Sequence, residues 1–179
     1  MKKIQSILKP LINQIAWGVQ WDSQLNMDMS FGNPLLRIRE PYKTQSKSRR
    51  IRESATRRAV TVKGKWWLWV FCADWNLKVD SKYKASNKSN YNQKLMAMSR
   101  LDGQRIVSVK VNKKTGETVF SFDLGAKLEV RRFDISNSDI WTLYCPTGMV
   151  LSVMGNGTYS YQKGNTPPNR LKLVPLEFA

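Results

Sequence analysis

Apolar and polar residues alternate along much of this chain with a period of two, the pattern of half-buried β-strands. Residues 25–31 alternate in this way and are followed by Gly32-Asn33-Pro34 and a second alternating segment, Leu35 to Arg39, so we predict a hairpin there. Gly64-Lys65 predicts another turn. The run from Trp66 to Cys72 is aromatic and apolar throughout, which predicts a central strand covered on both faces.

The rest of the chain predicts one helix and a series of hairpins. Tyr91 to Arg100 has apolar residues at helical spacing and is followed by Asp102-Gly103, which would end a helix. Beyond it, short alternating segments are separated by turn sequences such as Pro146-Thr147-Gly148 and Gly155-Asn156-Gly157. We expect one mainly β domain over 1–179, a β-rich α+β fold. Its antiparallel meander of nine or ten strands would form a sandwich or open barrel, with one or two short helices.

Two segments, at about 42–58 and 80–92, break the strand pattern because they are polar and basic. Such segments bury too little apolar surface to offset the entropy of ordering, so we predict loops, the first mobile and with room for a short helix around 49–55. The first loop lies in the part of the chain where most of the excess positive charge is concentrated. From Arg37 to Lys65, eleven basic residues oppose two glutamates, a net of +9 out of +17 for the whole chain.

A positive field of this strength attracts polyanions, so nucleic acid (DNA or RNA), an anionic membrane surface and acidic proteins are the candidate partners. Mean hydropathy is −0.46, and no apolar run approaches the roughly 20 residues that a membrane helix needs. The N-terminal apolar stretch is interrupted by polar residues and predicts a packed amphipathic turn rather than a signal peptide. We therefore expect a cytoplasmic protein with no membrane partner.

Conventional catalytic and metal-binding residue sets are missing from the sequence. The chain contains no histidine and only Cys72 and Cys145, which argues against Ser-His-Asp and Cys-His catalysis and against a structural zinc site. We find no phosphate-binding loop pattern and no close pair of carboxylates typical of metal-dependent nucleases. We expect no catalytic residues, no cofactor and no metal, hence not an enzyme, with a minimal metal-dependent nuclease as an alternative. The two cysteines are expected to be buried free thiols.

Candidate nucleic-acid contacts follow from two patterns. Arginine predominates in the densest part of the first basic segment, and guanidinium groups bind phosphate oxygens bidentately. Core packing explains most of the seven tryptophans. An exposed Trp66 beside Lys63 and Lys65 would, however, let a base stack in a cationic setting. The predicted nucleic-acid-binding residues are Arg49, Arg50, Arg52, Arg57, Arg58, Lys63, Lys65 and Trp66.

Several short motifs occur in one combination along the chain. They include Ile38-Arg39-Glu40-Pro41, Trp67-Leu68-Trp69, Leu101-Asp102-Gly103-Gln104, Phe120-Ser121-Phe122-Asp123-Leu124-Gly125, Trp141-Thr142-Leu143-Tyr144 and Tyr159-Ser160-Tyr161. In this combination the chain resembles a group of uncharacterised bacterial proteins of this size, over most of residues 17–163. The resemblance implies a bacterial cytoplasmic protein and transfers no functional residues.

Two functions are therefore expected from the sequence. The first is a non-catalytic basic β module that binds nucleic acid through phosphate contacts, as a subunit of a bacterial nucleoprotein or defence complex would. The alternative is a protein-binding module of the immunity-protein or antitoxin type that neutralises an acidic partner.

Overall fold

The computed structural model describes residues 4–22, 26–71, 73–133 and 138–178. Within these ranges the α-helices are α1 (Ile4–Leu8), α2 (Arg49–Ala55) and α3 (Tyr91–Leu101). The strands are β1 (Ala16–Trp21), β2 (Met27–Arg39), β3 (Ala59–Val70), β4 (Ala73–Lys78), β5 (Lys84–Ser86), β6 (Ile106–Val111), β7 (Thr118–Phe122), β8 (Lys127–Arg132), β9 (Asp139–Tyr144), β10 (Met149–Met154), β11 (Thr158–Lys163) and β12 (Val174–Pro175). Single 3₁₀ turns occupy Lys9–Leu11, Pro168–Arg170 and Leu176–Phe178.

The strands form two antiparallel sheets. The larger sheet has the order β1-β2-β3-β9-β10-β11-β12, and the smaller has the order β5-β4-β8-β7-β6. The chain passes to the smaller sheet after β3 and returns to the larger one after β8. The predicted mainly β, sandwich-like fold is confirmed, and the described strands do not close into a barrel. They number twelve rather than nine or ten, and three short α-helices replace the expected one or two.

One apolar core joins the two sheets. Leu68 and Val70 of β3 face it from the larger sheet, and both residues are fully buried. Trp141 of β9 is fully buried and packs edge-on against Phe120 of β7, with 5.6 Å between the ring centres. Its Nε1–H donates to Thr118 Oγ1 at 2.8 Å, so the polar edge of the buried indole is satisfied.

Two of the helices follow the sequence pattern closely. The predicted amphipathic turn at the N-terminus is α1, whose Ile4, Ile7 and Leu8 are buried. The predicted helix at Tyr91 is α3, which packs against β1, β4 and β5. It begins with a capping box: Asn90 accepts from the Gln93 backbone N–H, and the Gln93 side chain accepts from the Asn90 N–H.

Both predicted turns in the first half of the chain are wrong. β2 continues through Gly32-Asn33-Pro34, and β3 continues through Gly64-Lys65. Gly32 adopts a φ of 71°, and the β2–β3 register shifts between Phe31 and Pro34. The turn-forming residues are therefore absorbed in a β-bulge while the strand goes on. Leu25, in the first predicted strand, and Cys72 lie outside the described residues.

Candidate nucleic-acid interface

β2 and β3 extend past their neighbours as a two-stranded ribbon. β1 pairs with β2 only between Met27 and Phe31, and β9 pairs with β3 only from Trp67 onward. Among the described strands, residues 34–39 and 59–64 consequently pair only with each other. We name residues 34–65 the arm, which contains the ribbon and its connecting segment. The arm carries the whole +9 excess derived from the sequence, since residues 34–36 carry no charge.

The two faces of the ribbon have different chemistry. Side chains alternate along each strand, and residues paired across the two strands share a face. One face is apolar and exposed: Leu36 is 64% exposed, Ile38 56%, Val60 56% and Val62 52%. The opposite face carries the basic side chains of Arg37, Arg39 and Lys63. This second face adjoins the outer surface of the larger sheet, because Lys63 and Trp67 lie on the same side of β3.

The connecting segment was predicted as a mobile loop with room for a short helix, and the structure shows it folded onto the ribbon. Residues 49–55 form α2, where the sequence left room for a helix, and Ala55 is buried. The Tyr42 N–H donates to the Ala55 carbonyl, and Arg39 Nη2 donates to the Ser54 carbonyl, both at 2.9 Å. These hydrogen bonds and the burial of Ala55 offset the entropy cost of ordering the segment. The composition of the segment did not predict these contacts. In the second basic segment, residues 84–86 form β5.

Three of the predicted phosphate-binding arginines are engaged within the arm. Arg49 pairs with Glu53 at 2.7 Å, and Arg58 pairs with Glu40 at 2.9 Å. Both pairs are well exposed, and pairs of this kind contribute little stability, so either guanidinium can exchange its carboxylate for a phosphate. Arg52 instead donates to the carbonyls of residues 46 and 47, at 3.2 and 2.6 Å, and so holds the segment in place.

Arg50 and Arg57 make no ion pair within the described part of the chain. Together with Arg39 and Arg58 they line a cleft of about 360 Å³ beside α2. Arg39 Nη1 is buried there with no acceptor among the described atoms. Four guanidinium groups surround this opening, while Glu53 lines it and Glu40 pairs with Arg58, so the net positive potential there suits a phosphate group.

The prediction that Trp66 offers an exposed stacking surface is wrong, because its ring faces the core and is only 8% exposed. Leu68 and Val70 share its side of β3, so Trp67 is the residue that faces outward. Lys63 Nζ lies 4.1 Å from the centre of the Trp67 ring and 3.0 Å from Asp28 Oδ2, so Lys63 is already engaged. Lys65, two residues along, is exposed and has no ion pair with a described residue.

A groove that the sequence did not predict crosses the outer face of the larger sheet. Three members of an aromatic row form one wall: Tyr144, Trp69 and Phe71. Trp67 completes the row, in which the ring centres of Tyr144, Trp67, Trp69 and Phe71 lie 4.7, 6.0 and 4.7 Å apart in that order. The floor carries polar side chains of β9, β10 and β11: Asp139, Thr142, Ser152, Ser160 and Gln162. Residues of the 163–171 segment form the other wall, and the groove holds about 330 Å³.

Asp139 is the only acidic side chain among the residues that line this groove. Burial raises the pKa of its carboxyl above the ordinary aspartate value, while hydrogen bonds from Ser152 and Thr142 oppose the shift. Thr142 Oγ1 lies 3.3 Å from Asp139 Oδ2 and 2.9 Å from Ser152 Oγ. Burial also raises the pKa of Tyr144, the charge of Asp139 adds to the increase, and Arg37 opposes it. Arg37 of the arm therefore acts on the same surface.

Further observations delimit the possible chemistry. Among the residues in the described ranges, no three His, Cys, Asp or Glu side chains lie close enough together to hold a metal ion. No described helix is both long enough and apolar enough to cross a bilayer. Comparison with family models, curated proteins and solved structures finds no match to this chain.

Proposed function

We propose that this protein binds nucleic acid through the arm, with phosphate groups held at the arginine-lined cleft. The observation that carries the proposal is that the arm has more arginines than its carboxylates can pair with. Its two glutamates already pair with Arg49 and Arg58, and yet Arg50 and Arg57 remain unpaired among the described residues. Each phosphate contact releases condensed counterions, so affinity should fall steeply as salt rises.

The residues of the arm divide the work. Arg50, Arg57 and Lys65 are free for direct phosphate contacts, and Arg49 and Arg58 join them by exchanging partners. Arg52 has a positioning role, because its guanidinium donates to backbone carbonyls of its own segment and so holds that segment in place. Phosphate contacts bind the nucleic-acid backbone without recognising its base sequence. Binding of this kind suits a subunit of a bacterial nucleoprotein or defence complex.

The test is the double variant Arg50→Ala with Arg57→Ala. We expect weaker binding to oligonucleotides of every sequence, and a slope of log affinity against log salt reduced by about 2, roughly one for each lost phosphate contact. Fluorescence anisotropy of a labelled oligonucleotide over a salt series measures both quantities.

The matched control is Lys113→Ala with Lys114→Ala, which removes the same charge. These lysines lie in the β6–β7 turn, and the Lys114 backbone lies beside Gly157 at the end of the larger sheet remote from the arm. Binding should stay near that of the wild type. Equal losses in both double variants, or unchanged binding when Arg50 and Arg57 are removed, would refute the proposal.

The apolar face of the ribbon supports a second candidate, an acidic protein partner of the kind an immunity protein or antitoxin neutralises. Contiguous exposed apolar side chains mark protein interfaces, and the surrounding arginines favour an acidic surface. The ratio of absorbance at 260 and 280 nm, measured at low salt and again after a high-salt wash, separates the candidates. A ratio typical of pure protein throughout, with one acidic protein in stoichiometric amount, would favour the second.

The variant Leu36→Ser with Val62→Ser refines this comparison. If the arm uses only its basic face for nucleic acid, oligonucleotide affinity stays unchanged in this variant, while binding of an acidic protein partner is lost.

A further inference from the structure

We infer that the groove on the outer face of the larger sheet binds an unpaired nucleobase, so that the nucleic acid held by the arm is single-stranded. The inference rests on the proposed function and adds to it the class of nucleic acid and a second contact site.

The groove and the basic face of the arm form one continuous surface. Lys63, Lys65, Trp67 and Trp69 occupy alternate positions of β3, and Lys63 Nζ lies over the Trp67 ring at 4.1 Å. Arg37 of β2 pairs with Thr61 and so shares the face of the ribbon that carries Lys63, which adds a second positive charge to this surface. A strand whose phosphates follow the arm therefore passes the mouth of the groove.

The groove has the chemistry that a base needs. Trp69, Phe71 and Tyr144 line it, and a flat ring inserted against this wall gains stacking contacts that tolerate different bases. The floor supplies the Asp139 carboxylate as an acceptor for base N–H groups, and the Gln162 amide as both donor and acceptor. Stacking together with hydrogen bonding to exposed base edges is the usual way in which proteins recognise unpaired nucleotides.

The faces of Trp67 are less available than its position suggests. Lys63 lies over this ring and Tyr144 stacks on it at 4.7 Å. The base therefore belongs beside the row, in the volume between the aromatic wall and the 163–171 segment, and not between the rings. A paired base cannot reach this volume, because in a duplex its edge is hydrogen-bonded and its faces are stacked.

Asp139 is a partly buried carboxyl group, and burying its charge costs the folded state stability. Burial raises the pKa of its carboxyl, so the folded state disfavours the ionised form, and stability should increase as pH falls through that pKa. No cation pairs with it in the described structure. Its partners, Thr142 and Ser152, hold it in place on the groove floor. Asp139→Asn should consequently keep the thermal midpoint at or above that of the wild type while removing an acceptor for the base.

A sugar ring is the competing ligand, since carbohydrates also bind beside aromatic rings and carboxylates. The surrounding charge favours a nucleotide: Lys163 lines the groove, and Arg37 and Lys65 lie on the adjoining face. These cations would contact the phosphates on either side of the inserted base, whereas a neutral sugar makes no use of them.

The experiment measures binding to three labelled DNA probes of equal phosphate number: a single strand, an abasic single strand and a hairpin duplex. At matched salt we expect the wild-type protein to bind the single strand at least tenfold more tightly than the other two. Asp139→Asn should reduce that preference at least fivefold and leave the salt slope unchanged, because no phosphate contact is lost. Trp69→Ala should reduce the preference in the same direction.

The matched control is Asp102→Asn, which replaces another carboxyl whose pKa is raised by burial and which accepts from the Val19 N–H outside the groove. It should keep the wild-type preference. Equal affinity for all three probes, with Arg50→Ala and Arg57→Ala still weakening each, would overturn the inference and leave the proposed function standing. No binding to any probe would overturn both. Binding of a neutral oligosaccharide that Asp139→Asn abolishes, without any preference for bases, would assign the groove to sugars and overturn the inference.

Discussion

Three side chains at the base of the arm fix its position on the sheet. Asp28 Oδ2 accepts from Lys63 Nζ at 3.0 Å and from Trp67 Nε1 at 2.7 Å. The side chains of Asp28 and Lys63 are only 14% and 22% exposed, so the pair is better shielded from solvent than the ion pairs of the arm. One carboxylate thus connects β2 to β3 at the point where the arm leaves the larger sheet.

Cys145 gives a prediction at the scale of a single residue. It is a buried free thiol, and burial raises its pKa from 9.0 to about 11. Because the thiolate is the reactive form, in a Cys72→Ser background the native protein should react far more slowly with Ellman's reagent at pH 8 than the urea-unfolded chain. A shift from 9.0 to about 11 leaves roughly a hundredfold less thiolate.

The same thiol makes folding stability depend on pH. As pH rises above 9.0, the unfolded chain loses the thiol proton while the folded chain retains it to about pH 11, so stability falls over that window. Cys145→Ala should remove this part of the decline in urea unfolding experiments. Equal modification rates in the native and unfolded states would contradict the burial of Cys145.

At the scale of elements, Gly64 marks the place where β3 passes the β-bulge. A Cβ there would lie 2.5 Å from the Phe31 carbonyl oxygen and 2.8 Å from that of Trp66, and both are backbone atoms that cannot give way. Gly64→Ala should therefore force β2 and β3 apart and lower the free energy of unfolding by about 1–3 kcal/mol. Urea denaturation followed by tryptophan fluorescence measures the change.

Gly148→Ala is the comparison for this substitution. Gly148 has a φ of 74° and open space where its Cβ would point, so the expected cost is only the backbone strain of about 1 kcal/mol. If Gly64→Ala unfolds at the same urea concentration as the wild type, the close approach at the bulge is absent.

Alternation and turn residues predicted the second half of the molecule better than the first. The turns predicted at 146–148 and 155–157 form on either side of β10, with Gly148 and Gly157 at positive φ. Gly32-Asn33-Pro34 failed because the same residues suit a turn and a bulge. The choice between them is made by the paired strand β3, which lies about 30 residues away in sequence.

The whole molecule consists of a sandwich that shares one core and an arm that stands outside it. The arm carries eleven of the thirty Lys and Arg residues. Within the described part of the chain, no strand pairs with either outer edge of its ribbon. Limited digestion with trypsin should therefore cut first between Arg37 and Lys65 while the sandwich stays folded. Mass spectrometry identifies the first fragments, and a bound oligonucleotide should slow these cuts.

Digestion supplies its own internal control. Lys113 and Lys114 lie in an exposed turn between paired strands of the smaller sheet, so cleavage there should come later and should not respond to oligonucleotide. First cuts at these lysines would show that the arm is not the least protected part of the chain.

Composition predicted the charge of the arm, but it could not predict the groove. Asp139, Tyr144 and Gln162 are separated along the chain and line one groove because β9, β10 and β11 are adjacent in the larger sheet. The orientation of Trp66 was equally undetermined, since alternation places Trp66 and Trp67 on opposite faces without saying which face is buried. The packing of the two sheets against each other decides that question, because the shared core buries Trp66 together with Leu68 and Val70.

The hydrogen bond between Tyr42 and Ala55 brings together the two ends of residues 43–54. These residues contribute no strand to either sheet, so a shorter or longer insertion could join the same two points without altering the strand ladder. Substitutions and length changes there are therefore free to accumulate over evolution independently of the fold. Descendants of one ancestral sandwich could in this way diverge in the anions they recognise while keeping the same architecture.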